Sequence, residues 1–387
     1  MKILYLHQYF RKPEEGGALR SYYLSSALVK AGHEVELITA YNGETYRTET
    51  VEGVKVHYLP IAYDNRFGFT ARINAFLKFS WQSTRLAFKI KDVAVCFATS
   101  TPLTIGIPAL LLKKLRGIPY IFEVRDLWPE APVQLGFIRN KMLKTLLFWF
   151  EKVFYRNACK IVALSPGMVA GVKKYNLPVP VFIIPNIADC RFYRPVYTKR
   201  ISESEPFIIS YVGTLGRTNR VDFLLDIANH CVEENLKQVK FIIAGSGAEA
   251  QYLKQKAQQL QLTNVVFAGH LNREQVLELL DRSAATYTSF DQIPVLETNS
   301  PNKFFDSLAA GKLCLVNTEG WLKELVEKNQ CGFYADPSQP AVFVQKLLPF
   351  LKDLSLLNTF QQNARTLAET EFSREKLSRE FVALFRK

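Results

Sequence analysis

Lys303 and Asp306 stand three residues apart in the run Asn299-Ser300-Pro301-Asn302-Lys303-Phe304-Phe305-Asp306, the spacing of one helical turn. A cation and a carboxylate so placed can face one ligand. The ammonium can neutralise a phosphate while the carboxylate accepts from ribose hydroxyls. Two upstream runs suit the same ligand: Gly213-Thr214-Leu215-Gly216-Arg217 and Gly245-Ser246-Gly247, each following an apolar, strand-like stretch. Glycine there lets a ligand approach backbone N–H groups, and a helix start with an arginine favours a diphosphate. An ordinary surface pair would explain Lys303 and Asp306 alone, but not their company of two glycine-edged strand ends.

In the front half, Gly16-Gly17 follows the first apolar run, residues 2–7. The segment is not Gly-x-Gly-x-x-Gly, so a nicotinamide or flavin fingerprint is missing where it belongs. The glycine pair can hold a phosphate, admit an acceptor, or be only a turn. His7, ending the run, either lines a binding cleft or packs internally. No Asp-x-Asp occurs, and His7, His33, His57, His230 and His270 have no metal-ligand spacing. We therefore expect no metal and no other cofactor, with arginine, lysine and helix N-termini carrying the phosphate charge.

The elements that must position these residues form two series of short apolar runs alternating with helical patterns. This is the signature of an α/β fold with parallel sheets. The first series starts at residues 2–7, 35–39, 54–58, 93–97, 120–124 and 160–164; the second at 207–212, 240–244, 265–268, 285–288 and 313–316. A polar stretch at 198–206 separates them. We expect one domain over 1–195, a second over 196–370, and a helix at 371–387 packing back on the first. Ligands bind beyond the carboxyl ends of strands in such sheets, so two sheets facing each other would enclose a cleft.

The net charge is +13, and residues 1–195 carry all of it, with 27 Lys and Arg against 14 Asp and Glu. Nucleic acid, an anionic membrane and phosphorylated substrates all fit this asymmetry. From Asn65 to Lys91 there are six basic residues and no acidic one, interleaved with aromatics. Phe69, Ile73, Phe76 and Leu77 have helical-face spacing there. A second stretch sets Arg139, Lys141, Lys144, Lys152 and Arg156 around Leu146-Leu147-Phe148-Trp149-Phe150. Basic aromatic helices read as surface membrane anchors, against the plainer reading of core helices with one charged face. Six cysteines without Cys-x-x-Cys spacing read as buried, reduced thiols of a cytoplasmic protein. The N-terminus lacks a signal-peptide pattern and no run is long enough to span a bilayer.

These features together resemble glycosyltransferase family 4, retaining enzymes of the GT-B fold, two Rossmann-like domains facing across a cleft. The resemblance runs over essentially the whole chain. It rests on Gly16-Gly17, Arg125-Asp126-Leu127-Trp128-Pro129-Glu130, Ile184-Pro185-Asn186, Gly213 to Arg217, Gly245-Ser246-Gly247 and Lys303 to Gly311. In Asn299 to Asp306, followed by Gly320-Trp321, the chain is most similar to bacterial enzymes of O-antigen, capsule and related surface polysaccharides. The resemblance implies a nucleotide-sugar donor in the second domain, on Gly213, Thr214, Arg217, Gly245, Ser246, Gly247, His270, Leu271, Ser300, Pro301, Asn302, Lys303, Phe304 and Asp306. Arg217 and Lys303 would stabilise the leaving diphosphate. It implies an acceptor, a saccharide or lipid-linked one, on His7, Gly16, Gly17 and Arg20, with Asp126 or Glu130 accepting its proton. It further implies retention, a peripheral position on the inner face of the plasma membrane, and no nucleic acid. Three departures stand out. The family's paired glutamates are Thr298 and Asp306 here, with Glu297 one residue out of register. Arg220 stands near where a lysine is usual. Arg125 replaces a histidine common before the aspartate. The rival readings are a nucleotide-sugar 2-epimerase of similar architecture and a non-enzymatic binder of anionic surfaces or nucleic acid. No nucleic-acid reading motif supports the latter.

Overall fold

A computed structural model describes residues 1–64 and 67–386, without the side chain of Phe69. Asn65, Lys387 and the Phe69 side chain, all invoked in reading the basic segments and terminus, lie outside the described residues. The chain divides into two compact units.

The first unit comprises residues 1–185, with 298–300 and the chain from Leu377. Its strands are β1 (Lys2–Leu6), β2 (Glu34–Tyr41), β3 (Arg47–Val51), β4 (Val54–Pro60), β5 (Val93–Thr99), β6 (Tyr120–Val124), β7 (Lys160–Ala163) and β8 (Val181–Ile183). They lie in the order β3-β4-β2-β1-β5-β6-β7-β8. All neighbours are parallel except β3, which runs antiparallel to β4. The parallel strands are apolar runs because helices cover both faces. Order reverses at β1, so the loops after β1 and β5 part to opposite faces, the place where such sheets bind ligands. Near the C-terminus, Phe381 meets Phe97 edge-on at 4.9 Å, and the Lys160 ammonium donates to the Leu384 carbonyl.

Arg20 opens the helix Arg20–Lys30 and is buried. Its Nε and Nη2 donate to Glu123 Oε1 on β6 at 2.9 and 2.8 Å. Nη2 also donates to the Ile184 carbonyl, and Nη1 to that of Pro185. Its expected contact with an acceptor is therefore corrected. The guanidinium is spent on the fold, tying the first helix to β6 and to the end of the unit. Removing either partner of such a pair costs about 3–5 kcal/mol, because the other charge is left buried.

The second unit comprises residues 186–297 and 301–376. Its sheet contains β9 (Phe207–Val212), β10 (Val239–Ala244), β11 (Val265–Gly269), β12 (Ala285–Thr288), β13 (Leu313–Val316) and β14 (Gly332–Tyr334), in the order β11-β10-β9-β12-β13-β14. Every pair is parallel. The order reverses at β9, whose carboxyl end carries Gly213.

The basic aromatic segments form the helices Phe69–Ala87 and Lys141–Asn157. The expected face on the first is corrected. Phe76 is buried and stacks on Tyr63, while Leu77 and Trp81 are exposed. The second presents Met142, Leu146 and Trp149, at i, i+4 and i+7, to solvent. Among the described residues no helix is long and apolar enough to cross a membrane. The cysteines are all free, but Cys159 is exposed and Cys190 half-buried, which corrects the expectation that all are buried.

Candidate functional site

The glycine loops of the second unit pack on one another. Gly213, Gly245 and Gly247 have φ of +156°, +143° and +158°, which side chains rarely adopt. A Cβ on Gly245 would stand 1.8 Å from the Gly213 carbonyl oxygen, and one on Gly247 2.3 Å from that of Leu215. Gly213 N–H donates to Ala244 O at 3.0 Å and Leu215 N–H to Ser246 O at 2.9 Å. The expected reason for these glycines therefore changes at Gly245 and Gly247. Their bare faces are filled by the neighbouring loop, not kept open for a ligand.

Gly213 is different, because what a Cβ would meet there is Lys303, with Nζ at 3.2 Å and Cε at 3.3 Å. Lys303 is the second residue of the helix Asn302–Ala309, which begins after Pro301. Its ammonium donates to Tyr211 Oη at 2.9 Å and Asn219 Oδ1 at 3.4 Å, and lies 4.2 Å from the centre of the Tyr211 ring. No carboxylate pairs with it among the described residues. Burial pulls its pKa down to about 7. A cation held that way is poorly compensated until an anion arrives.

Asp306, one turn on, has different neighbours, Arg273 and Asp189. Burial pushes its carboxyl up to about 7; Arg273 opposes this and Asp189 adds to it. Arg273 is itself engaged, donating to Asp189 Oδ2 at 2.6 Å and stacked 3.6 Å from the Phe192 ring centre. The Asp306 carboxylate makes no hydrogen bond or ion pair among the described residues, which leaves both its oxygens for hydroxyl donors. Lys303 and Asp306 thus share one helix end but do not pair.

The remaining donor candidates divide by exposure. Thr214, Arg217, Ser246, Gly247 and His270 are exposed; Leu271, Pro301 and Asn302 are half-buried. Phe304 is fully buried, edge-on to Phe305, and its expected ligand contact is corrected: it is a core residue. Ser300 is buried and belongs with the first unit. Arg220 donates to Asp222 at 3.0 Å and Asp291 at 3.2 Å, so its charge is already met; Arg217 keeps its own.

In the first unit the carboxyl ends of β1, β5 and β6 converge. His7 is buried, and its Nε2 accepts from Arg125 Nη1 at 3.0 Å. Burial, then Arg125 and Arg20, hold His7 well below the usual imidazole range, hence neutral. Asp126 accepts from Thr101 Oγ1 at 2.7 Å. Burial raises its pKa against the pull of Thr101 and Arg125, which suits a proton acceptor. Glu130 differs. Burial would raise it, but Lys174 at 2.9 Å and Gln134 at 2.9 Å outweigh that and hold it below the usual range. Glu130 is corrected to a paired structural carboxylate. Gly16 and Gly17, φ +66° and +83°, border open space. Tyr211, Arg273, Asp189 and Thr101 escaped the sequence reading. None carries a motif, and only the folded chain brings them to the others.

Two family models match. That of the glycosyl transferase 4-like domain covers residues 15–187, and that of glycosyl transferases group 1 covers 197–367. Alpha-monoglucosyldiacylglycerol synthase of Streptococcus pneumoniae is 22% identical over 366 residues, covering 89% of this chain and 76% of its own. An uncharacterised glycosyltransferase of Methanocaldococcus jannaschii is 23% identical over 189 residues, 48% of this chain and only 46% of its own. Among solved structures, sucrose-phosphate synthase from Thermosynechococcus elongatus aligns with TM-score 0.80 at 16% identity, over 100% and 98% of the two chains. HepE of Anabaena, in complex with UDP and glucose, aligns with TM-score 0.70 at 17% identity over 99% of each. The fold is that of the GT-B class. The chain belongs to the family-4-like glycosyltransferases, its front half to the 4-like domain family and its back half to glycosyl transferases group 1.

The site carries a testable cost. Lys303 binds its proton less readily folded than unfolded, so the penalty of its charge is fully present below about pH 7 and fades as pH rises toward 10.5. Lys303→Met should therefore raise unfolding free energy by roughly 0.5–2 kcal/mol at pH 6, with the gain shrinking by pH 10. Urea unfolding at both pH values checks this. A gain equal at both, or a loss at pH 6, contradicts the assignment.

Proposed function

We propose that the protein is a retaining, metal-independent hexosyltransferase, moving a sugar from a nucleoside-diphosphate donor to a lipid-linked saccharide of a bacterial surface polysaccharide. The observation that carries the reading is Lys303, a half-buried cation beside the end of β9 with no carboxylate partner among the described residues. A diphosphate supplies the missing charge, and Arg217, exposed on the same loop system, adds a second cation. Both act most strongly as the leaving group gains charge, which is the larger part of catalysis in such transfer. Asp306 accepts from the ribose hydroxyls, while Asp126 takes the proton of the acceptor hydroxyl. Support for a uridine nucleotide comes from HepE, whose structure contains UDP and glucose.

The test is a transfer assay with UDP-glucose and alternative nucleotide sugars, run with and without acceptor and in EDTA. Transfer should need acceptor and survive the chelator. Lys303→Ala and Arg217→Ala should each lower turnover by about 10²–10³ with the fold retained. Conversion of the donor without acceptor would instead mark an epimerase. Activity lost in EDTA and regained with Mn²⁺ would refute metal independence.

Membrane docking on the cytoplasmic face is part of the proposal. Its support is the exposed Met142, Leu146 and Trp149 on a helix that carries Lys141, Lys152 and Arg156 and is preceded by Arg139. A relative named as a glucosyldiacylglycerol synthase adds to it. Each basic residue near an anionic leaflet contributes about 1 kcal/mol, and aromatic insertion adds an apolar component. The protein should sediment with phosphatidylglycerol vesicles at low salt and release in high salt. Leu146→Ser with Trp149→Ser should weaken that binding at least several-fold and leave UDP binding unchanged. No sedimentation of the wild type at low salt would end the docking proposal.

A further inference from the structure

Two arginines of the first unit are set in opposite ways. Arg20 has its charge cancelled by Glu123 at 2.8 Å. Arg125, immediately after β6, has no carboxylate partner among the described residues. The one side chain that holds it is His7, through Nη1 to Nε2 at 3.0 Å. A guanidinium only donates, so His7 Nε2 must be the bare nitrogen and the ring hydrogen sits on Nδ1. That Nδ1 is buried without a partner. The neighbouring side chain, Asp126, points to Thr101 instead. The Arg125 backbone N–H is fixed by Ser100 Oγ at 3.2 Å. The ends of β1, β5 and β6 thus orient a half-buried guanidinium and an imidazole N–H, with no carboxylate ion-paired to the guanidinium among the described residues. A neutral histidine aims an arginine where a glutamate would quench it. Such an arrangement is costly unless an anion completes it.

We propose that Arg125, aimed by His7, is a specificity residue that binds an anionic oxygen group of the acceptor, a phosphate or carboxylate carried close to the hydroxyl that reacts. The inference rests on the glycosyl-transfer reading and adds the acceptor's chemical class. Neutral acceptors are poor because they leave the guanidinium unmet, while an acidic group forms charge-assisted hydrogen bonds with it. Arg125 is thereby a reader of substrate charge, and Asp126 beside it handles the proton.

The experiment uses the full chain saturated with UDP, so that phosphate positions near Lys303 are filled. Binding of inorganic pyrophosphate and, separately, of glucuronate is then measured by calorimetry. Wild type should bind at least one of them. Pyrophosphate alone would point to a diphosphate-linked acceptor, and glucuronate alone to an acidic sugar. Arg125→Gln should weaken that binding about tenfold or more, Arg125→Lys should restore part of it, and neither should change UDP affinity. Equal anion binding by wild type and Arg125→Gln overturns the proposal, as does failure of the wild type to bind either anion. Arg125→Lys remains the deciding variant if Arg125→Gln does not fold. Absence of UDP binding in the wild type is a separate outcome, which strikes at the glycosyl-transfer reading instead.

Discussion

The site in the second unit depends on one unfavourable contact, a half-buried lysine ammonium set against a glycine and a tyrosine without a carboxylate partner among the described residues. Every local feature serves it. β9 ends in Gly213, whose missing side chain leaves room for Lys303 Cε and Nζ. Tyr211, on the same strand, supplies a hydroxyl and a ring face, both weaker partners than a carboxylate. The helix carrying Lys303 starts at Asn302, so the lysine emerges in its first turn. The end of β10 and the loop after it hold the Gly213 loop by backbone hydrogen bonds, in a close approach that only glycine permits at Gly245 and Gly247. Stability is given up locally so that charge stands ready, as is common where binding or catalysis needs a preorganised cation.

The first unit applies the same logic with different residues. Arg20 is buried and paired with Glu123, and the half-buried Glu130 is paired with the exposed Lys174. Arg125 and Asp126, adjacent in sequence and at the carboxyl edge of the sheet, have no ion pair among the described residues. In the second unit Lys312 is fully buried and its ammonium donates to the carbonyls of Val196 and Asp281.

The sequence carried the architecture well, since parallel strands buried on both faces are written as apolar runs. β3 escaped because it is an exposed edge strand of Arg-Thr-Glu-Thr-Val, with no apolar run to reveal it. β8 and β14, three residues each, were too short to stand out. At the site, Lys303 and Asp306 stood out as candidates by their one-turn spacing and Gly213 by its place after a strand, while their separate neighbours, Tyr211 and Asn219 for Lys303 and Arg273 and Asp189 for Asp306, were not readable from it. Phe304 was misread because periodicity does not say which side of a short helix faces the core. Arg20 and Glu130 were misread because their partners, Glu123 and Lys174, lie 103 and 44 residues away in the chain. The pairing that cancels a charge is a property of the fold, and no local pattern announces it.

The account stands most directly on the state of one amine. The protonation of Lys303 Nζ can be followed by heteronuclear NMR on lysine-labelled protein, assigned with Lys303→Arg, with and without UDP. The account expects a midpoint near pH 7 in the free protein, and a clear upward move when UDP brings its diphosphate to the amine. A midpoint near the ordinary lysine value in the free protein, or one that UDP leaves in place, would contradict it.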